Sequence, residues 1–189
     1  MATFIFPVSF VLIFFIRDIL RIWTKSDTTT QHTYLLAQVL IAGTMFNALM
    51  VLPYNLIIAH GWVRFSIYQN AIAAVILVPM LFLWTNLYGA LGATFVWLTV
   101  NAGYIIISQP LMHRRLLKSE LKRWYWNDTF LPMIPSLLIV LLIKVFLQYF
   151  LPEVQLNLLL IGGILAVAFA ASILNMSDTR LLLKKTLKF

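Results

Sequence analysis

The stretch Asn47-Ala-Leu-Met-Val-Leu-Pro53-Tyr-Asn55, continued by Leu-Ile-Ile-Ala59-His60-Gly61-Trp62-Val-Arg64-Phe-Ser-Ile-Tyr-Gln69-Asn70, decides how the rest of the chain reads. Two apolar runs, each long enough to cross a bilayer, meet here through a short polar corner at Ala59–Trp62. A plain lipid-facing hairpin would carry Leu, Ile and Val at these places. Amides, a proline and an arginine stand there instead. Polar groups inside hydrocarbon are costly and turn toward a bundle interior or a wet cavity. The corner therefore predicts a polar path within a membrane.

Composition agrees with a membrane class. Of 189 residues, 62% are hydrophobic and 11% charged, well away from the balance of soluble domains. The apolar runs lack the short alternation of barrel strands, so the fold class is all-α: a polytopic transmembrane bundle of about six helices. The expected helices cover about 2–22, 34–58, 65–84, 88–108, 129–151 and 155–175, as a single transmembrane helical domain spanning 1–189. Ala2–Ile16 follows Met1 with no basic flank and no cleavage site. It fits a signal peptide poorly and reads as the far end of a helix whose upstream context is missing.

The net charge of +8 comes from basic residues clustered just outside apolar runs, where membrane topology puts them, so no nucleic-acid partner is expected. Ten of the 14 Lys and Arg residues fall on one side of a six-crossing layout: Arg64, five between Arg114 and Arg123, and four in the tail from Arg180 to Lys188. That side is expected to be cytoplasmic, with both termini inside. Cysteine is absent, which excludes disulfide and thiolate chemistry. His32, His60 and His113 have no ligand spacing, and no cofactor or metal site is expected.

Several polar residues stand out within the runs. In the second, Asn47 shares a face with Thr44 and Tyr54, and Pro53 frees the Leu49 carbonyl and predicts a kink. Asn47 and Asn55 admit two readings, interhelical hydrogen bonding or the lining of a cavity. In the third, Ser66, Gln69 and Asn70 lie at i, i+3 and i+4, with Arg64 just outside as a topology anchor or a phosphate contact, and Pro79 as a second kink. A turn is expected at Thr85-Asn86. Thr94, Asn101 and Ser108 form a stripe along the fourth run. Lys144 is the one charge well inside a run; it reads as snorkelling to the interface past Gln148, or as meeting an anionic substrate or a coupling ion. Gly162, Ala166 and Ala170 suit the docking of another helix on the sixth. The linkers are expected at Lys25–Thr33, at the basic stretch His113–Trp126 and at Pro152-Glu153.

No catalytic set assembles: the six acids lie at run ends, and no nucleophile motif or phosphate-cradling glycine loop is present, so an enzyme is not expected.

Leu52-Pro53-Tyr54, Ala59-His60-Gly61-Trp62-Val63-Arg64 and Tyr68-Gln69-Asn70 resemble the later part of oligosaccharide flippases of the O-antigen/polysaccharide exporter family. Ile19–Thr24 resembles the segment that precedes it. Tyr88–Ala93 and Pro110–Arg115 resemble segments that follow. Multidrug exporters of the MATE type belong to the same superfamily. The resemblance implies the C-terminal portion of a two-lobed transporter in the bacterial inner membrane, with an N-terminal lobe as missing partner. It implies transfer of an undecaprenyl-pyrophosphate-linked oligosaccharide between leaflets by alternating access, driven by a proton or sodium gradient, for lipopolysaccharide or other surface polysaccharide. Under that reading Asn47, Asn55, Gln69, Asn70 and Asn101 line the substrate path, Arg64 and Lys144 meet phosphate, and Pro53 and Pro79 let helices rock. A small-molecule exporter and a non-transporting assembly subunit are the alternatives.

Overall fold

The computed structural model describes residues 1–151 and 158–174. The expected Pro152-Glu153 linker, the ends of the sixth run at Gln155 and Asn175, and the tail with Asp178, Arg180, Lys184, Lys185 and Lys188 lie outside the described residues. Among the described residues no strand forms. The helices are α1 (Ala2–Thr24), α2 (Asp27–Ala59), α3 (Val63–Tyr88), α4 (Ala90–Leu116), α5 (Leu121–Phe150) and α6 (Leu158–Leu174). The first five are long and apolar enough to cross a membrane, and α6 adds a shorter apolar helix. The protein is an all-α, multi-pass membrane bundle. Large side chains such as Phe82, Leu87, Leu142 and Leu159 point outward, as they do where lipid replaces water.

The breaks between helices are shorter than the sequence suggests. The expected linker Lys25–Thr33 reduces to Lys25 and Ser26. Lys25 takes a left-handed conformation, and the Ser26 hydroxyl accepts the Thr29 backbone N–H. The cap satisfies a backbone N–H that a helix start leaves unpaired, so the helix begins ahead of the apolar run. The turn expected at Thr85-Asn86 lies at Gly89 instead, because the reversal needs a positive φ, here +60°, that glycine adopts without a Cβ clash. The basic stretch after α4 is mostly helical: Arg114 and Arg115 end α4, Lys122 and Arg123 begin α5, and only residues 117–120 separate them.

Contacts sort into two compact units, one of residues 1–34 with those from Lys122 onward, the other Leu35–Leu121. In the first, α1, α5 and α6 pack pairwise. Phe6 and Phe15 of α1 are wholly buried. The Lys144 ammonium of α5 donates to the Phe14 carbonyl, and further toward the C-terminal ends Arg21 and Gln148 line one cleft, so α1 and α5 run parallel. Phe4, at the start of α1, has its ring 4.7 Å from that of Phe169, near the end of α6, so α6 runs antiparallel. Among the described residues nothing docks on the small-residue row of α6. Gly162, Ala166 and Ala170 are exposed, and α6 buries Ile161, Ile164, Ala168 and Ser172 instead. A Cβ on Gly162 would meet nothing within 4 Å. The Ser172 hydroxyl joins that of Ser136 on the Pro132 carbonyl of α5, which anchors this other face.

In the second unit, α2 and α4 run parallel and touch at Gly43, where a Cβ would stand 3.1 Å from Leu98 Cα. At the α3–α4 reversal a Cβ on Gly92 would fall on the Trp84 carbonyl. Small residues at both places let backbones meet that larger ones would hold apart. Within each unit the directions alternate as successive crossings require.

Candidate functional site

Asn47 and Asn101 come together. Asn47 is four residues, one turn, beyond the Gly43 contact, and the parallel run of α4 places Asn101 opposite it. The Asn47 amide N–H donates to Asn101 Oδ1 at 2.8 Å, and the Asn101 amide donates to the Trp97 carbonyl at 2.8 Å. Asn101 is fully buried. One helical turn toward the start of α2, Thr44 binds the Leu40 carbonyl and accepts the Trp97 indole N–H at 3.4 Å. The side chains of α3 complete the arrangement: the Tyr104 hydroxyl donates to Asn70 Oδ1 at 3.4 Å.

These amides line one cleft of about 360 Å³. Asn47, Tyr54 and Asn55 enter it from α2, Gln69 and Asn70 from α3, Trp97, Asn101 and Tyr104 from α4. A small sugar ring would fit such a volume, and amides offer both donors and acceptors to hydroxyl groups. Asn70 and Asn55 are exposed, Asn47 and Gln69 half-buried. The Gln69 Oε1 is buried without a hydrogen-bond partner among the described residues. Tyr104 and Trp97 were missed in the sequence; the signal was present, since Tyr104 follows Asn101 by three positions and Trp97 precedes it by four.

The polar stripe on α4 is only partly continuous. Thr94 spends its hydroxyl on the Leu91 carbonyl. Between Asn101 and Ser108 the helix passes through a π segment, Tyr104–Ser108, whose wider turns break the seven-residue register. Asn101 therefore faces the amide cleft, while Ser108, buried, lines a second one. Ser66, expected beside Gln69 and Asn70, is buried and lines neither.

This second cleft, about 320 Å³, runs between α3 and α4 and is almost entirely apolar, with Phe65, Ile72, Ile76, Met80, Ile107 and Leu111 in its walls. Gln69, Val100 and Tyr104 belong to both clefts. A polar chamber and a greasy groove thus share one wall.

Arg64 is exposed and lines neither cleft. Arg115, at the end of α4, stacks over the Trp62 ring of the corner at 4.4 Å. The helices pass through Pro53 and Pro79 without interruption; Pro53 is buried.

Lys144 belongs to the other unit. In place of free snorkelling, its ammonium donates to the Phe14 carbonyl at 2.6 Å, lies 3.8 Å from Asp18 and sits 4.9 Å from the Phe15 ring centroid. It lines a third cleft, about 510 Å³, together with Arg17, Asp18, Arg21, Asp27 and Gln148. The sequence offered Gln148, one turn after Lys144, as its only pointer to this grouping. Among the described residues no three His, Asp or Glu side chains gather as a metal site. No family model, curated protein or solved structure matches this chain.

Proposed function

We propose that the chain is part of a membrane transporter that moves a lipid-linked oligosaccharide, of the undecaprenyl-pyrophosphate type, across the bacterial inner membrane by alternating access. The observation that carries this reading is the shared wall of Gln69, Val100 and Tyr104 between the amide cleft and the apolar groove. A sugar lipid needs hydrogen-bonding groups for its head and an apolar surface for its tail, side by side. Asn47, Asn55 and Asn70 meet hydroxyls or cleft water, the fully buried Asn101 positions the Asn47 amide, and the unpaired Gln69 carbonyl accepts an O–H or N–H from the cargo. The cargo class and the membrane come from the sequence resemblance, as do an N-terminal lobe as partner and coupling to protons or sodium.

Complementation tests the proposal. The chain is expressed in a flippase-deficient strain, alone and joined to a flippase N-terminal half. Restored surface polysaccharide by the joined protein is the expected result. A joined protein that inserts normally and restores none removes the reading.

A second reading has its own observation. Asn47 and Asn101 bond to each other, as amides do where they only hold helices together in a non-transporting assembly subunit. Asn70 separates the two, because it is exposed and held by one long hydrogen bond. Loss of export by Asn70→Leu at unchanged membrane level favours transport; full retention favours the subunit.

A further inference from the structure

The charged cleft of the first unit shares no residue with the amide cleft or the groove, and of its charges the transport reading takes up only Lys144. Its cations are Arg17 and Arg21 on α1 and Lys144 on α5; its carboxylates are Asp18 and Asp27. Arg21 is committed to Asp27, Nε to Oδ1 at 2.8 Å. Lys144 is committed to the Phe14 carbonyl, with Asp18 at 3.8 Å. Arg17 has no carboxylate partner among the described residues; its guanidinium lies 5.7 Å from the Tyr34 ring centroid. Three cations against two carboxylates leave the cleft one positive charge in excess, and Arg17 carries it.

Depth is set by aromatic residues. Trp23 near the end of α1 is 80% exposed and Tyr149 near the end of α5 is 74% exposed. Aromatic side chains of this kind sit at the headgroup level of a bilayer. The cleft begins within two turns of both, at Arg21 and Gln148. A basic pocket at that level offers an anionic headgroup charge-assisted hydrogen bonds. The flat guanidinium fork matches two phosphate oxygens, and the ammonium beside it retains donors beyond the one given to Phe14.

We propose that this cleft is a binding site for the phosphodiester headgroup of an anionic membrane phospholipid, with Arg17 as the principal contact and Lys144 as the second. One excess charge matches one phosphodiester. Asp18 and Asp27 hold Lys144 and Arg21 in place and repel a second anion. The acyl chains remain in the surrounding bilayer, along the apolar sides of α1 and α5.

The test uses the full chain in nanodiscs of phosphatidylcholine with increasing phosphatidylglycerol, reading retained lipid by native mass spectrometry and affinity by competition. Phosphatidylglycerol is expected to be retained over phosphatidylcholine, and Arg17→Gln to weaken that retention about tenfold. Arg17→Lys keeps the charge without the fork and is expected to lose several-fold less. Arg114→Gln, an exposed arginine outside the cleft, is expected to change nothing. Equal retention by wild type and Arg17→Gln overturns the proposal, and so does equal loss with Arg114→Gln. If Arg17→Gln does not fold, Arg17→Lys carries the comparison. Two further arms separate the sources of phosphate. Glycerol phosphate competing as well as the lipid overturns a membrane-lipid site in favour of a soluble anion. Arg17-dependent binding of undecaprenyl phosphate, without phosphatidylglycerol binding, overturns it in favour of the cargo.

Discussion

The amide cleft and the charged cleft solve the same problem by opposite means. In the first, polar side chains within apolar helices are neutral, and two pairs satisfy each other, Asn47 with Asn101 and Tyr104 with Asn70, while the Gln69 carbonyl stays unpaired. In the second they are charged, and two of the three cations are held by carboxylates or a backbone carbonyl. Neutral amides can be buried completely, as Asn101 is, because hydrogen bonds alone compensate them. Charges are tolerated only where water or headgroups reach them, and Lys144 and Asp18 are each one-third exposed. The difference separates a chamber suited to hydroxyl groups from a rim suited to an anion.

Substitutions can break or sharpen this contrast. The largest expected effect is Gly92→Val, whose Cβ would fall on the Trp84 carbonyl and push apart the α3–α4 pair that walls the amide cleft. Overpacking against backbone should cost about 3 kcal/mol, read as reduced folded protein in detergent. Next comes Asn101→Leu, which leaves the Asn47 amide N–H without its acceptor. A loss of about 1–2 kcal/mol by steric trapping is expected, the upper range for a hydrogen bond between membrane helices. A double-mutant cycle with Asn47→Leu should return most of that as coupling. A coupling near zero would mean the amides act separately.

Lys144→Met tests the charged side. It removes the bond to Phe14 and the cation beside Asp18, but partial exposure screens the loss, and about 1 kcal/mol is expected. A cost above that of Asn101→Leu would reverse the comparison. The smallest effects concern exposed positions. Asn70→Leu should leave stability within about 0.5 kcal/mol while reducing export, and Gly162→Leu should leave both unchanged. By contrast Ala168→Leu, at a fully buried position on the same helix as Gly162, should lower folded yield.

The helices were legible because hydropathy over some twenty residues is a local, additive property. Their ends were less so. Thr28 to Thr33 look like a linker by polarity, yet the backbone simply continues beyond the hydrocarbon, since α2 at 33 residues is longer than the bilayer needs. The convergence of Asn47 and Asn70 with Asn101 was only half legible. Asn47 and Tyr54 do share the cleft, as their seven-residue spacing suggests, but the π segment at Tyr104–Ser108 sends Ser108 elsewhere. The face of α6 was not legible: small residues permit close packing without compelling it, and shape complementarity with α1 and α5 favoured Ile161, Ile164 and Ala168.

By itself the sequence determined that this is a multi-pass helical membrane protein, which stretches form its long apolar helices and which polar residues are out of place in lipid. Those follow from transfer energies that each segment carries alone. Tertiary structure decided which of those residues meet, that Lys144 turns to α1 and that Arg17 is left uncommitted. Partners across helices depend on where glycines let backbones touch and on how each helix is rotated, and no single segment encodes either.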